Sequence, residues 1–317
     1  MVMAQALFKV LRQHEPDRPI DVLAPAWSLP IVARMPEIRR GIASQTAHGE
    51  IGLGTRRAIA RDLAGHYDRA IILPRSFKAA LVPWFAKIPL RTGFRGESRY
   101  FLINDVRPFD KSILDQTVKR FVALGVDGEL PSELPDPTLE ISTANQARVI
   151  SELGVATDRP VVAMMPGAEY GPAKCWPLEY FTELAARLEG AGYTVWVLGS
   201  DKDNAAGEAI AAGSAAVNLC GRTSLEDVID VLAACERAVS NDSGLMHIAA
   251  AVGIHVHGIY GSSSAKFTPP LTKSRDIHEI SLDCRPCFAR ECPLGHLKCL
   301  RDLKPDAIFE KIGRKAR

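Results

Sequence analysis

Short apolar runs alternate along this chain with longer stretches in which apolar residues recur every three or four positions. In the first half the runs predict strands over 20–24, 70–73 and 88–92, and the helical spacing predicts helices over 2–12, 54–64, 76–85 and 111–124. Residues 127–137, rich in proline and acidic side chains, read as a linker, and 144–153 as a connecting helix. The second half repeats the pattern, with strands over 161–165, 194–198, 238–240 and 256–260 and helices over 178–189, 204–212, 225–234 and 244–251. Alternation of this kind predicts right-handed crossovers and parallel sheets, an α/β fold. A chain of 317 residues with 47% hydrophobic content suits two domains of about 150 residues each better than one. The expected division is 1–154 and 155–317.

Two strand-to-helix corners carry candidate chemistry. In Ser240-Asn241-Asp242-Ser243-Gly244-Leu245-Met246-His247 an apolar strand ends and a helix opens, so backbone N–H groups and the positive dipole end gather at Asp242, Ser243 and Gly244. An anion placed there is held by N–H groups without a metal, and His247 lies one turn further on nearly the same face. Asp and Ser are equally ordinary N-caps, so this corner alone leaves both readings open. The second corner follows the strand at 161–165. It runs through Pro166-Gly167-Ala168-Glu169-Tyr170-Gly171-Pro172-Ala173-Lys174-Cys175-Trp176-Pro177 and opens a helix at Leu178. Its glycines and prolines make a shaped loop at the carboxyl end of a strand, the usual ligand edge of a parallel sheet, and Lys174 is its only cation. Neither corner matches the P-loop or the dinucleotide glycine fingerprint, which disfavours a kinase or a dehydrogenase.

The seven cysteines form two groups. Cys175, Cys220 and Cys235 are scattered and read as core or loop thiols. Cys284, Cys287, Cys292 and Cys299, with His296 among them, follow the order C-x2-C-x4-C-x6-C. Such density suggests a structural zinc, against which stand reduced thiols that pin a loop and, more weakly, an iron–sulfur cluster. The segment is distant from both corners in sequence and reads as structural rather than catalytic.

Charge is divided unevenly. Residues 1–120 hold 20 Lys and Arg against 11 Asp and Glu, a net +9, and the remainder is −7. Arg91, Arg95, Arg99 and Arg107, interleaved with Phe94, Tyr100 and Phe101, form a candidate surface for an anionic lipid or, equally, a solvated basic face. No nucleic-acid motif accompanies them. No apolar run reaches the roughly 18 residues that cross a bilayer, and no signal peptide is visible, so a cytoplasmic protein is expected.

The strings GAEYGPAKCWP, SLEDVIDVLAAC, NDSGLMHIAAA and YGSSSAKFTPPL, preceded in order by APAW, RMPEI, YDRAIILPRSFKAALVPWFA, RTGFRGESRY and LINDVR, resemble glycosyltransferase family 9. The likeness is to its ADP-heptose:lipopolysaccharide heptosyltransferases, and several strings are those of the branch that adds the second heptose. The resemblance spans nearly the whole chain. It implies a GT-B fold, two Rossmann-like domains facing across a cleft, with residues 1–154 on the acceptor side and residues 155–317 binding the nucleotide sugar. It implies inverting, metal-independent transfer from ADP-heptose to a heptosyl-Kdo2-lipid A precursor. The enzyme is expected to act as a monomer, peripheral to the inner face of the inner membrane of a Gram-negative bacterium, with no nucleic-acid partner. No Asp-x-Asp metal motif is expected at the donor loops, and no cofactor for catalysis.

Carried over residue by residue, the resemblance gives Lys174 the diphosphate, shared with backbone N–H groups of Ser243, Gly244 and Leu245. It places Gly167 in the donor loop, Glu226 on the ribose and Asp242 on the donor heptose, with His247 supporting the loop or a phosphate. The family has a strand and a Gly-Asp turn before its first helix, and that Asp is its candidate general base. The expectation is that the functional gene product extends upstream of Met1 and carries it there. Family members commonly have a basic residue where this chain has Cys175, so either donor affinity is weaker or another arginine, such as Arg222, compensates. Two other classes stay open: a sugar-nucleotide epimerase sharing the cleft, and a binding protein, either a pseudoenzyme without its base or a zinc-dependent nucleic-acid binder.

Overall fold

Every strong apolar run of the sequence becomes a strand, and all strand pairs are parallel, in the computed structural model, which describes residues 1–44 and 50–313. The chain divides into two compact units, Met3–Pro135 and Asp136–Arg317. The boundary therefore lies at the Pro-rich linker rather than at 154. The reason is the connecting helix, whose Asn145 and Gln146 side chains donate to the Asp230 carboxylate and carbonyl at 2.7 and 2.8 Å, so the helix belongs to the second unit.

The first unit contains strands β1 (Asp21–Pro25), β2 (Arg40–Ser44), β3 (Arg69–Ile72), β4 (Leu90–Phe94) and β5 (Asp105–Arg107). Among the described residues they form two parallel sheets, β1-β2 and β3-β4-β5. Helices α1 (Gln5–His14), α2 (Leu29–Val32), α3 (Leu53–Leu63), α4 (Leu81–Phe85) and α5 (Thr117–Val122) accompany them. The helix expected over 111–124 is reduced to α5. Asp110 takes the Ser112 backbone N–H at 2.8 Å and its hydroxyl at 2.6 Å, a local turn that competes with a helical start.

The second unit is one six-stranded parallel sheet. Its strands are β6 (Val161–Met165), β7 (Thr194–Val197), β8 (Val217–Asn218), β9 (Arg237–Asn241), β10 (His255–Ile259) and β11 (Arg275–His278). Their order in space is β11-β10-β9-β6-β7-β8, a doubly wound sheet whose strand order reverses between β6 and β9. Helices α6 (Thr143–Leu153), α7 (Leu178–Gly190), α8 (Asn204–Ala212), α9 (Leu225–Ala233), α10 (Gly244–Ala251), α11 (Lys298–Arg301) and α12 (Pro305–Gly313) complete it. β6, β9 and β10 are buried along their whole length, as strands covered on both faces must be. The core beneath α7 and α12 joins Trp176, Phe181, Leu184, Leu188, Ile308 and Ile312. Burying side chains of this size contributes about 1.5–3 kcal/mol each. Among the described residues no helix is long and apolar enough to cross a membrane.

Candidate active site

The reversal of strand order places both sequence-flagged corners side by side. The Asp242 corner leaves the end of β9 and the Lys174 loop leaves the end of β6, its immediate neighbour, with Met165 level with Ser240. A ligand crevice forms at such a point because the connections on either side lead to opposite faces of the sheet. Asn241 ties the corners together: its amide nitrogen donates to the Pro166 carbonyl at 2.6 Å, and its amide oxygen accepts from the Trp176 backbone N–H at 3.0 Å. Trp176 is itself fully buried, with its indole N–H on the Leu303 carbonyl at 2.8 Å.

Lys174 and Asp242 meet across this junction. The ammonium lies 2.6 Å from the Asp242 carboxylate, with 17% of the lysine side chain and 4% of the aspartate side chain exposed. The Thr268 hydroxyl reaches the same carboxylate at 3.3 Å, and the Tyr170 ring lies under the ammonium at 5.3 Å. The helix that follows has no side-chain cap. Ser243 stands at the N-cap position of α10 without a side-chain cap bond, and its hydroxyl lies 3.3 Å from that of Ser240. The ordinary capping role is thus not taken up, and the first-turn N–H groups of α10 face the exposed Gly244 position. A Cβ added at Gly244 meets nothing within 4 Å, so there is open space above the helix start.

His247 sits one turn on, with its Nδ1 buried and unpaired in the structure. Burial pushes its pKa down to about 4 against the pull of Asp242. It is therefore neutral at neutral pH and supports a phosphate only as a neutral group. Glu226 is exposed in the first turn of α9, whose start is closed by a capping box between Ser224 and Asp227. Leu245 lies in the first turn of α10 and contributes its backbone.

Gly167 has a different reason to be glycine from the one expected. A Cβ there would lie 2.2 Å from Oδ1 of Asp203. Asp203 closes a capping box with Ser200, taking its N–H and hydroxyl at 2.8 and 2.9 Å. The sequence reading passed over Asp201-Lys202-Asp203, an Asp-x-Asp triplet that the fold brings to this edge; its second carboxylate is committed to that cap.

Other expectations are corrected. Arg222 donates to the Leu153 carbonyl at 3.1 Å, at the end of α6. The Cys175 thiol is held above its usual pKa by burial and then by Asp203. Of the four arginines proposed as a lipid surface, three have structural partners. Arg99 is buried, donating to the Pro74, Ser76 and Phe94 carbonyls; Arg91 donates to Leu102 and Ile88; Arg107 pairs with Asp127 and Asp105. Only Arg95 joins an exposed surface, with its guanidinium over the Tyr100 ring at 4.9 Å. Finally, the cysteine segment is not remote. Arg290 accepts the Ala173 N–H at 3.0 Å and donates to the Tyr170 carbonyl at 2.9 Å, so the segment lies against the Lys174 loop.

Residues 56–298 match glycosyltransferase family 9 (heptosyltransferase). The chain is 40% identical to lipopolysaccharide heptosyltransferase 2 of Salmonella typhimurium, over 98% of this chain and 94% of that one. It is 39% identical to lipooligosaccharide heptosyltransferase 2 of Haemophilus influenzae over the same shares. Among solved structures it is similar to that of E. coli ADP-heptose lps heptosyltransferase II, with a TM-score of 0.87 and 38% identity over 99% of this chain and 94% of that one.

Proposed function

We propose, because the chain belongs to glycosyltransferase family 9, that it transfers a heptose from ADP-heptose to the first heptose of a lipopolysaccharide inner core. The observation that carries this reading is the uncapped start of α10 beside Lys174, at the reversal of strand order in a doubly wound sheet. A diphosphate is the ligand that fits: N–H groups with a helix dipole on one side, a lysine ammonium on the other.

The chemistry follows from charge. As the bond from the heptose to the diphosphate breaks, negative charge grows on the departing ADP and positive charge on the sugar, through an oxocarbenium-like transition state. Donors already aimed at the leaving phosphate stabilise that state without reorganisation. Lys174 is held by Asp242 in the free protein and exchanges to the diphosphate, which releases the Asp242 carboxylate toward the hydroxyls of the donor heptose. N–H groups of Gly244 and Leu245 complete the cradle, Gly167 lets the loop approach Asp203, and Glu226 lies on the ribose side. Since ammonium and helix start supply the positive charge, the reaction is metal-independent. In one in-line displacement the acceptor hydroxyl bonds to the anomeric carbon as the bond to ADP breaks, its proton passes to a base or to solvent, and the anomeric centre is inverted.

The acceptor is a lipid, and the first unit offers a surface suited to one. Tyr100 and Phe101 are 65% and 62% exposed, Trp84 packs edge-on against Phe101 at 6.0 Å, and Arg95 covers Tyr100. Aromatic rings with a cation among them sit well at the headgroup level of an anionic bilayer. We place the protein peripherally at such a surface on the cytoplasmic side.

The test is to incubate the protein with ADP-heptose and a heptosyl-Kdo2-lipid A acceptor and follow the acceptor by mass spectrometry. A gain of one heptose, unaffected by EDTA, is expected. An acceptor of unchanged mass with the donor epimerised refutes the reading.

A further inference from the structure

Outside the donor site the second unit gathers four sulfurs around one small cavity. Cys284, Cys287, Cys292 and Cys299 all line it, together with Ala173, Ser262 and Arg285, and its volume is about 20 Å³. That is room for one water-sized body. We propose that these four cysteines hold one zinc ion as thiolates, and that this ion fixes the backbone of the loop carrying Lys174.

The ligand set argues for the metal class. Four thiolates in a tetrahedron select zinc or ferrous iron over hard cations such as magnesium. None of the four is in a disulfide. Arg285 also lines the cavity, a cation that would offset part of the negative charge of a four-thiolate site. His296 also lines the cavity, but its Nδ1 accepts the Lys298 N–H at 3.0 Å, which leaves the cysteine quartet as the better set. Among the described residues, the trio of ligand atoms already within 4.8 Å of one another is that of His255, His257 and Asp276. No three of the cysteine sulfurs meet that spacing, so binding draws them together around the ion, and Cys284 and Cys287 are exposed.

The consequence for the donor site runs through the backbone. Residues 288 and 290 lie between the second and third cysteines and are laced to the loop. Besides the Arg290 bonds, the Tyr170 hydroxyl donates to the Phe288 carbonyl at 2.7 Å, and the Phe288 N–H donates to Ser262 at 2.8 Å. Ser262 in turn donates to the Ala173 carbonyl at 3.0 Å, one residue before Lys174. A Cβ on Gly171 would stand 2.6 Å from the Arg290 carbonyl, so the two backbones touch. An ion that closes 284–299 thus removes the freedom of Tyr170, Ala173 and Lys174 together. The cysteines are positioning residues and touch no substrate.

Elemental analysis of the intact protein purified without added metal is the first measurement, with zinc expected near one equivalent per chain. Exchange into cobalt should give the visible ligand-field spectrum of a tetrahedral thiolate site. C284S/C287S should lose both, and chelation should expose four further thiols to a thiol reagent. ADP affinity, read by calorimetry, should fall roughly tenfold on zinc removal and return on readdition, with the far-UV spectrum unchanged. Absence of stoichiometric metal, metal retained by the quadruple Cys→Ser variant, or thiols that appear only after reduction would overturn the site. Unchanged ADP affinity in the zinc-free protein would overturn its role on the loop.

Discussion

Removing Lys174 leaves the Asp242 carboxylate, 4% exposed, without its cation. Breaking a buried pair from one side costs about 3–5 kcal/mol, because the remaining charge stays desolvated. The Thr268 hydroxyl still reaches Asp242 at 3.3 Å, which puts K174A near the lower end of that range, about 3 kcal/mol. D242N costs less, about 1–2 kcal/mol, since the lysine side chain is 17% exposed and its ammonium reaches water by a change of rotamer. In the double variant K174A/D242N no uncompensated charge remains, so it is more stable than K174A alone. Trp176 and Trp196 are fully buried in the second unit, whereas Trp27 and Trp84 belong to the first. Urea unfolding in a W27F/W84F background, followed by tryptophan fluorescence, therefore reports on the unit that contains the pair. A double variant as unstable as K174A, or K174A within about 0.5 kcal/mol of the parent, refutes the pairing as the element that holds Asp242. The same proteins separate structure from binding: K174A loses ADP affinity, while D242N keeps it or gains, its lysine no longer held.

Gly244 meets no protein atom, so G244A should leave stability within about 0.5 kcal/mol while weakening ADP binding at least tenfold, by calorimetry; unchanged affinity would remove the diphosphate from the start of α10. Burial holds His257 at a pKa of about 3 and His278 at about 4, both below their unfolded value of 6.5. The unfolded chain then binds the extra protons, so stability is complete above pH 6.5 and lost as pH falls toward 4, by about 1.4 kcal/mol per unit for each histidine. The urea midpoint at pH 5 should lie clearly below that at pH 7, and H257N should shrink the difference. W84A/Y100A/F101A should lower binding to vesicles containing anionic lipid several-fold without changing the second unit's ADP affinity; equal binding would remove the membrane surface from the account. W176A should cost about 3–5 kcal/mol, measured in the same fluorescence background through Trp196.

How much could be seen in the sequence varied with the length and apolarity of the signal. β6, β9 and β10 are continuous apolar runs with turn chemistry after them, and their positions were plain. β11, Arg-Asp-Ile-His, carries one apolar residue and was invisible, because its strand state comes from pairing with β10 rather than from its own composition. β8 and β5 are too short to show a period. The two corners at the site were legible because phosphate-type chemistry clusters glycine, proline and helix starts locally. What they do to each other was not: the Lys174–Asp242 pair spans 68 residues. The cysteine segment was legible as a cluster, but its contact with the Lys174 loop was not, since 120 residues separate Arg290 from the Tyr170 carbonyl it contacts. Basic residues were the least informative signal. Arg91, Arg99 and Arg107 look like surface charge in sequence and are consumed by backbone carbonyls and carboxylates in the fold.

The most direct test of the central claim is the rate of ADP release from ADP-heptose with and without the heptosylated lipid acceptor, in wild-type protein and in K174A. The account predicts release that requires acceptor, proceeds in the presence of EDTA, yields one ADP per heptose transferred, and falls at least a hundredfold in K174A. Release that is independent of acceptor, or equal in K174A, would contradict it.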